Sequence, residues 1–339
     1  MAHPRRIGLD IGSVRIKAAQ CDRRGRVEHL ASFPRAKPHE PVDIQEAEHI
    51  AEVLLRQGFQ PGPVILACDP DHLRMEELDL PPISDRSAAD RIVSSEIMRI
   101  AHWAHGTFEQ AWWPIPAKTT HSATLSALVV ASTHASAEAL VEPIAATGLD
   151  VEALEIPAVA AARACAAKNK DKGMTCAVDI GWRSSELSAR LNGDLVFVRT
   201  LPGSGISSIH DALGINTDDK LAVIERLSLS SEKHPWSTPA LRRTFVEALN
   251  TLGLTLAEEL QRSFSYISRR FPGCEPITTY IGGGGASIPG LPETVKSALG
   301  LEVTFATPGQ LASCSVTGRR WQNDGALMTA IGLMMWGDN

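Results

Sequence analysis

The sequence predicts a duplicated α/β protein, two related halves facing each other across a cleft, with a small α+β module inserted in the first half. Three observations lead there. The triplet Asp-Ile-Gly starts at Asp10 and again at Asp179, an offset of 169 residues in a chain of 339. Each copy sits in the same pattern of strand, Asp-Ile-Gly, strand, polar turn and strand, over residues 6–33 and 174–201. Between the copies, residues 74–153 carry strand and helix patterns of their own.

The repeat extends beyond the triplet. Shifted by the same offset, Gly12 falls on Gly181, Val27 on Val196, and the turn Asp22-Arg23-Arg24-Gly25 on Asn192-Gly193-Asp194. Asn-Gly between alternating apolar runs marks a β-hairpin, and self-similarity at a fixed offset marks a repeated unit. In the insert, Leu80-Pro81-Pro82 closes a strand, and Ser84 and Asp85 are candidate caps for a helix whose apolar stripe is Ile92, Val93, Ile97, Ile100 and Ala104. Strands over 108–113 and 124–132 and a helix over 135–146 follow. An alanine-rich helix, 158–168, leads back to the second hairpin.

The second half continues with helical patterns over 217–227 and 240–271, separated by a polar loop, and a strand over 277–281. Asn323 or Asp324 would cap a last helix. The expected division is a first lobe of 1–73, 154–173 and 310–339, an inserted module of 74–153, and a second lobe of 174–309 with a helical subdomain at 206–273.

Composition narrows the function. A net charge of −6 argues against a nucleic-acid surface, where a basic excess is expected. The six cysteines show no paired or histidine-linked spacing, so reduced thiols are expected rather than a metal site or a disulfide framework. No stretch approaches the ~20 apolar residues of a membrane span. With no signal-peptide pattern before the first strand, the sequence predicts a cytosolic protein without direct membrane insertion.

The chemistry gathers at three glycine-containing turns. A strand that ends in Asp-x-Gly and turns tightly presents backbone N–H groups that can cradle phosphate oxygens. In Asp10-Ile11-Gly12-Ser13 the aspartate can also hold a magnesium ion through water, and Lys17 on the next strand supplies a point charge for the phosphates. The second turn runs Asp179-Ile180-Gly181-Trp182-Arg183-Ser184-Ser185 and offers hydroxyls. The third element, Gly282-Gly283-Gly284-Gly285, lies between a strand and a helix start and can bring backbone flat against a base or ribose. Together they predict a nucleotide cleft. His102-Trp103-Ala104-His105 reads as amphipathic packing rather than a metal site. Of the adjacent Trp112 and Trp113, on opposite faces of a strand, at least one is expected in the core.

These residues resemble the actin-like ATPase superfamily and, within its FtsA/PilM branch, the PilM family of type IV pilus assembly proteins. The match runs from Ile7 to Trp336 through Gly8–Ser13 with Ile16-Lys17, Leu80-Pro81-Pro82, Val178–Gly181, Glu259-Leu260-Gln261-Arg262-Ser263 and Gly282–Gly285 with Pro289-Gly290-Leu291. The resemblance implies a ribonuclease H-like fold with Mg2+ and ATP in the cleft. Asp10, Gly12, Ser13 and Lys17 would form the first phosphate loop, and Asp179, Gly181, Ser184 and Ser185 the second. Asp10 and Asp179 would hold the waters of the metal. Arg226, Glu259, Arg262 and the glycines Gly282, Gly283, Gly284 and Gly285 would serve the purine and ribose. It also implies recruitment to the inner membrane through the cytoplasmic N-terminal peptide of a PilN-type protein, and leaves self-association open.

Three departures bear on this. Trp182 and Arg183 stand where small residues are usual. The family's Ala-Glu-x-x-Lys reads Ala222-Val223-x-x-Arg226, and Glu-x-x-x-Ile-Pro-Phe reads Glu96-x-x-x-Ile100-Ala101-His102. Hydrolysis stays open, because phosphoryl transfer needs a positioned water or base as well as clamps, and Glu155 is the candidate for that role besides Asp10 and Asp179. A sugar-type kinase of the same superfamily, or a scaffold that has lost ATP, are the alternative classes.

Overall fold

In the computed structural model, residues 5–82, 85–116, 124–166, 173–214, 238–274, 276–314, 321 and 324–337 are described. The predicted helix over 217–227, Arg226, Ser84 and Asn323 lie outside them.

The first lobe opens with β1 (Ile7–Ile11), β2 (Arg15–Cys21) and β3 (Val27–Pro34), an antiparallel meander. Helix α1 (Ile44–Arg56) follows, begun by Asp43, whose side chain accepts the Glu46 N–H. Strand β4 (Pro63–Ala67) lies parallel to β1, and β8 (Asp150–Glu155) parallel to β4, giving the order β3-β2-β1-β4-β8. The second lobe repeats this with β9 (Met174–Ile180), β10 (Ser185–Leu191), β11 (Asp194–Leu201), β12 (Pro276–Gly282) and β13 (Val303–Phe305), in the order β11-β10-β9-β12-β13. The likeness reaches the irregularities. The register shifts between Gln20 and Cys21 in one meander and between Ala189 and Arg190 in the other, again 169 positions apart.

The inserted module consists of β5 (Leu73–Leu80), α2 (Arg86–Ala101), β6 (Phe108–Pro114) and β7 (Leu125–Thr133), with the sheet ordered β5-β7-β6. Asp85 caps α2, and the buried Ala89, Val93 and Ile97 pack on Phe108, Trp112 and Val129. The helix stops at Ala101, because His102 takes a left-handed conformation (φ 57°), so Ala104 lies beyond the stripe and is exposed. The two tryptophans point to opposite faces and both are packed. Trp112 joins the module's own core, whereas Trp113 donates its indole N–H to the Leu195 carbonyl of the second lobe at 2.7 Å. Glu77 of β5 accepts from Arg270 at 2.9 and 3.0 Å, which fastens the module to the second lobe again.

The module is shorter than 74–153. Helix α3 (His134–Ala146) buries Ile144 and Leu140 with Ile50 and Leu54 of α1, and β8 belongs to the first sheet. The chain therefore returns to the first lobe at Thr133, because its apolar surface from there on matches α1 and not the module.

Helix α4 (Pro157–Ala166) follows β8 yet packs beneath β9 and β10 of the second sheet. In the second lobe α5 (Ser207–Leu213), α6 (Pro239–Arg270) and α7 (Leu291–Leu299) cover the far face, and α8 (Met328–Met334) ends the described fold. That last helix packs on β1 and β2 of the first sheet, so each lobe lends its closing helix to the other. Within 154–173, β8 lies in the first sheet and α4 packs against the second. Alanine recurs along α4 because Ala160, Ala161, Ala162 and Ala164 are all buried where the helices and sheets crowd together. A Cβ at Gly332 of α8 would run into the Ala160 carbonyl.

Gly332→Ala is expected to lower stability by about 1–3 kcal/mol through overpacking, read as an earlier midpoint in urea with an unchanged slope.

Candidate nucleotide site

The ends of β1 and β9 form two equivalent turns. The Gly12 N–H donates to the Arg15 carbonyl at 3.0 Å, and the Gly181 N–H to the Ser184 carbonyl at 3.1 Å. Each turn is held from outside by the segment after its third strand. Ser13 and Val14 carbonyls accept from His39 N (2.8 Å) and Arg35 N (3.0 Å), and the Trp182 carbonyl accepts from Ser207 N (2.9 Å). The glycine N–H groups are thus used within the turns.

Between the turns opens a cavity of about 690 Å3, within the size range of small-molecule sites. It is lined by Asp10, Gly12, Ser13, Arg15 and Lys17 from one side and Asp179, Gly181, Trp182, Arg183, Ser184 and Glu186 from the other. Gly284, Ser287, Ile288, Pro289, Asp324 and Thr329 complete that end, and the cavity continues into the first lobe between residues 67–72 and α3.

Its charges follow from strand register. Asp10 pairs across the hairpin with Lys17, whose ammonium lies 2.7 Å from the carboxylate. Burial disfavours that ammonium, but attraction to Asp10 and Asp179 outweighs the penalty and raises its pKa. At the equivalent place in the second hairpin, Asp179 pairs with Glu186, so a like-charge pair replaces the ion pair. Burial, and next the Asp179 charge, push the Glu186 carboxyl up to about 7. Asp179 is itself shifted upward, chiefly by burial, although Lys17 and a 2.7 Å hydrogen bond from Thr329 favour its charged form.

The structure brings Asp10, Gly12, Ser13, Lys17, Asp179, Gly181, Ser184 and Gly284 together around this cavity. Others stand elsewhere. The Ser185 hydroxyl turns away, donating to the Ser204 carbonyl at 2.6 Å while its N–H bonds the Ser204 hydroxyl. Gly282, Gly283 and Gly285 are not in the lining. They allow close packing, since a Cβ at Gly283 would meet Asp179 Oδ1, and at Gly282 or Gly285 it would meet Met328 or Ile180. Glu259 is buried under β11, bonded to Arg199 at 2.9 Å and to Arg262, and neither Glu259 nor Arg262 lines the cavity. Glu155 also faces elsewhere. Its carboxylate accepts from Arg163 at 2.6 Å and from the Ile156 N–H at 3.2 Å, and it does not line the cavity.

The bulky residues of the second turn leave its backbone hydrogen bond intact. Trp182 is buried, with His39 and His210 rings at 6.0 and 5.9 Å. Glu186, Arg15 and Thr329 were not singled out by motif, and Asp324 was expected only as a helix cap, a bond it makes to the Ala326 N–H. For Glu186 a signal existed, because the 169-residue offset places it on Lys17.

No family model matches the chain, and no curated protein matches it in sequence. Solved structures do match. The PilM–PilN type IV pilus biogenesis complex superposes with a TM-score of 0.79 at 19% identity, covering 99% of each chain. The ethanolamine utilization protein EutJ from Carboxydothermus hydrogenoformans gives 0.56 at 17% identity over 98% of this chain and 89% of that one. The fold is that of the actin-like ATPases. MreB5 of Spiroplasma citri bound to ADP shares it with a TM-score of 0.53 at 13% identity, over 98% and 96% of the two chains. In this actin-like fold the two Asp-x-Gly turns face each other across the cleft, and the inserted module falls inside the full-length match to the pilus complex.

Because folded Glu186 keeps its proton to about pH 7 while the unfolded chain loses it near the ordinary glutamate value, stability falls with rising pH through that interval. Glu186→Gln is expected to flatten this fall and to be more stable than wild type above pH 7, by on the order of 1–3 kcal/mol. Melting curves between pH 4.5 and 8 check it.

Proposed function

We propose that this chain is an ATP-binding assembly protein of the PilM type, which grips the cytoplasmic N-terminal peptide of a PilN-type inner-membrane protein and is recruited to the membrane through it. The observation that carries the nucleotide half is the cavity itself, opening where two equivalent Asp-x-Gly turns meet with Lys17 between their aspartates. The partner half is supported by the likeness to the PilM–PilN complex over 99% of the chain, inserted module included. Among the described residues no helix is long and apolar enough to cross a membrane.

Asp10, Asp179 and Glu186 offer the hard oxygen donors that magnesium takes. Among the described residues no group of three or more His, Cys, Asp or Glu side chains could hold a metal ion; as the family resemblance implies, magnesium would be held through its waters. When bound it would neutralise phosphate charge next to three carboxylates. Lys17 and Arg15 add positive charge on the same side of the cavity. With Glu155 committed to Arg163, the site favours binding over rapid turnover. Closure of the cleft on the nucleotide would then bias partner affinity by shifting the two lobes.

Thermal denaturation tests the nucleotide half. Mg-ATP at about a hundred times its dissociation constant adds roughly 2.7 kcal/mol, a rise of several degrees, and Asp10→Ala is expected to remove that rise. An unchanged melting temperature at millimolar Mg-ATP would overturn ATP binding and favour an inert scaffold. Rapid ATP consumption seen only with a sugar would point to a kinase instead. For the partner half, calorimetry with a PilN-type N-terminal peptide is expected to show saturable binding, and no heat at millimolar peptide would count against it.

A further inference from the structure

Arg183 occupies the place in the second turn that Val14 holds in the first. Its guanidinium leaves the second lobe and crosses the cleft to Asp71 at 2.6 Å and Asp69 at 3.4 Å. Both aspartates belong to the connection from β4 to β5, and the Asp69 carboxylate also accepts the Asp71 N–H at 3.0 Å. The turn Pro70–His72 runs directly into Leu73 of β5, and Ser132 of β7 donates to the His72 carbonyl at 3.3 Å. One side chain thus links the Asp179 turn to the root of the inserted module.

The neighbouring Trp182 anchors this turn between His39 and His210, so Arg183 can change partners while its backbone stays fixed. Arg183, Asp69 and Asp71 are 52%, 45% and 59% exposed, which makes the pairs weak and exchangeable. Arg183 lines the same cavity as Gly181 and Ser184, within reach of whatever anion fills it. A phosphate dianion concentrates the charge of the two carboxylates in one group and suits the planar fork of a guanidinium.

We propose that Arg183 reads the terminal phosphate of a bound nucleotide and reports it to the inserted module, an inference that rests on the nucleotide reading above. Without nucleotide, or with a diphosphate, the guanidinium holds Asp69 and Asp71. A triphosphate draws it to the terminal phosphate and frees the connection into β5. Arg183 is therefore a specificity-determining residue for triphosphate over diphosphate.

Hydrogen exchange of the full chain over residues 67–75, with melting temperatures on the same samples, tests this in nucleotide-free protein, with Mg-ADP, and with the non-hydrolysable Mg-ADPNP. In wild type, exchange is expected to be slow without nucleotide and with Mg-ADP, and up to about fivefold faster with Mg-ADPNP, the worth of an exposed ion pair. Arg183→Ala is expected to exchange fast in all three states and to lose about tenfold of the preference for ADPNP over ADP. Asp71→Asn breaks the pair from the other side and is expected to speed nucleotide-free exchange while keeping that preference. Unchanged nucleotide-free exchange in both variants overturns the proposal. So does equal wild-type exchange with the two nucleotides when both raise the melting temperature, and that outcome leaves the nucleotide reading standing. A wild type whose melting responds to neither nucleotide overturns both.

Discussion

The structure depends on the contact between α4 and α8, where the two helices cross between the sheets with backbone nearly against backbone. Gly332 lies so close to the Ala160 carbonyl that any Cβ would displace one helix. Around it Ala161, Ala164 and Cys165 of α4 share one cluster with Ala330, Ile331 and Met334 of α8 and with Ala19 and Ala177 from the two sheets. Neither lobe can bury its sheet without the helix contributed by the other half of the chain. The exchange joins the lobes, and the cleft lies where β1 and β9 terminate. It also accounts for Glu155. Arg163 bonds both its carboxylate and the Gly332 carbonyl, at 2.6 and 2.9 Å, so this last residue of β8 serves the crossing.

Duplication supplies the backbone of the site and divergence supplies its charge. The two turns share their internal hydrogen bond and their outer carbonyl contacts, which depend on main chain alone. The side chains at equivalent places differ. One aspartate faces a lysine and the other a glutamate, and a glycine-rich segment closes directly on Asp179, leaving no space for a Cβ at Gly283. The two hairpins therefore bring Asp10, Asp179 and Glu186 to the cavity, with Lys17 interacting with both aspartates. Burial first, and neighbouring carboxylate charge after it, shift Asp179 and Glu186 upward, a cost that protons or added cations relieve.

The inserted module is built from the first half of the sequence but seated on the second lobe, through Trp113, Glu77 and the joining of Ile115 and Leu128 to that lobe's core. Its root at residues 69–72 borders the cavity, while its far edge grips α6. Movement of one lobe against the other must therefore be taken up at the module's connections. The cross-cleft pair of Arg183 sits at one of them.

Much of this was legible in the sequence because it is written in local periodicity and repetition. The 169-residue offset predicted the two meanders, and the Asp-x-Gly triplets predicted the turns, since backbone conformation at Gly12 and Gly181 is a local matter. The module's end, the helix exchange and the direction of each polar side chain were decided by tertiary packing. An apolar stripe such as that of α3 does not say which surface will cover it, and alanine-rich α4 suits either sheet. Glu155, Ser185 and Glu259 have the right chemistry for a nucleotide, but Arg163, Ser204 and Arg199 lie nearer to them than the cavity does. Burial leaves a polar group little freedom to choose, because an unpaired one is costly and the nearest partner prevails. The sequence by itself determined the repeated scaffold and the aspartates at its turns. Only the folded chain decided which side chains face the space between them.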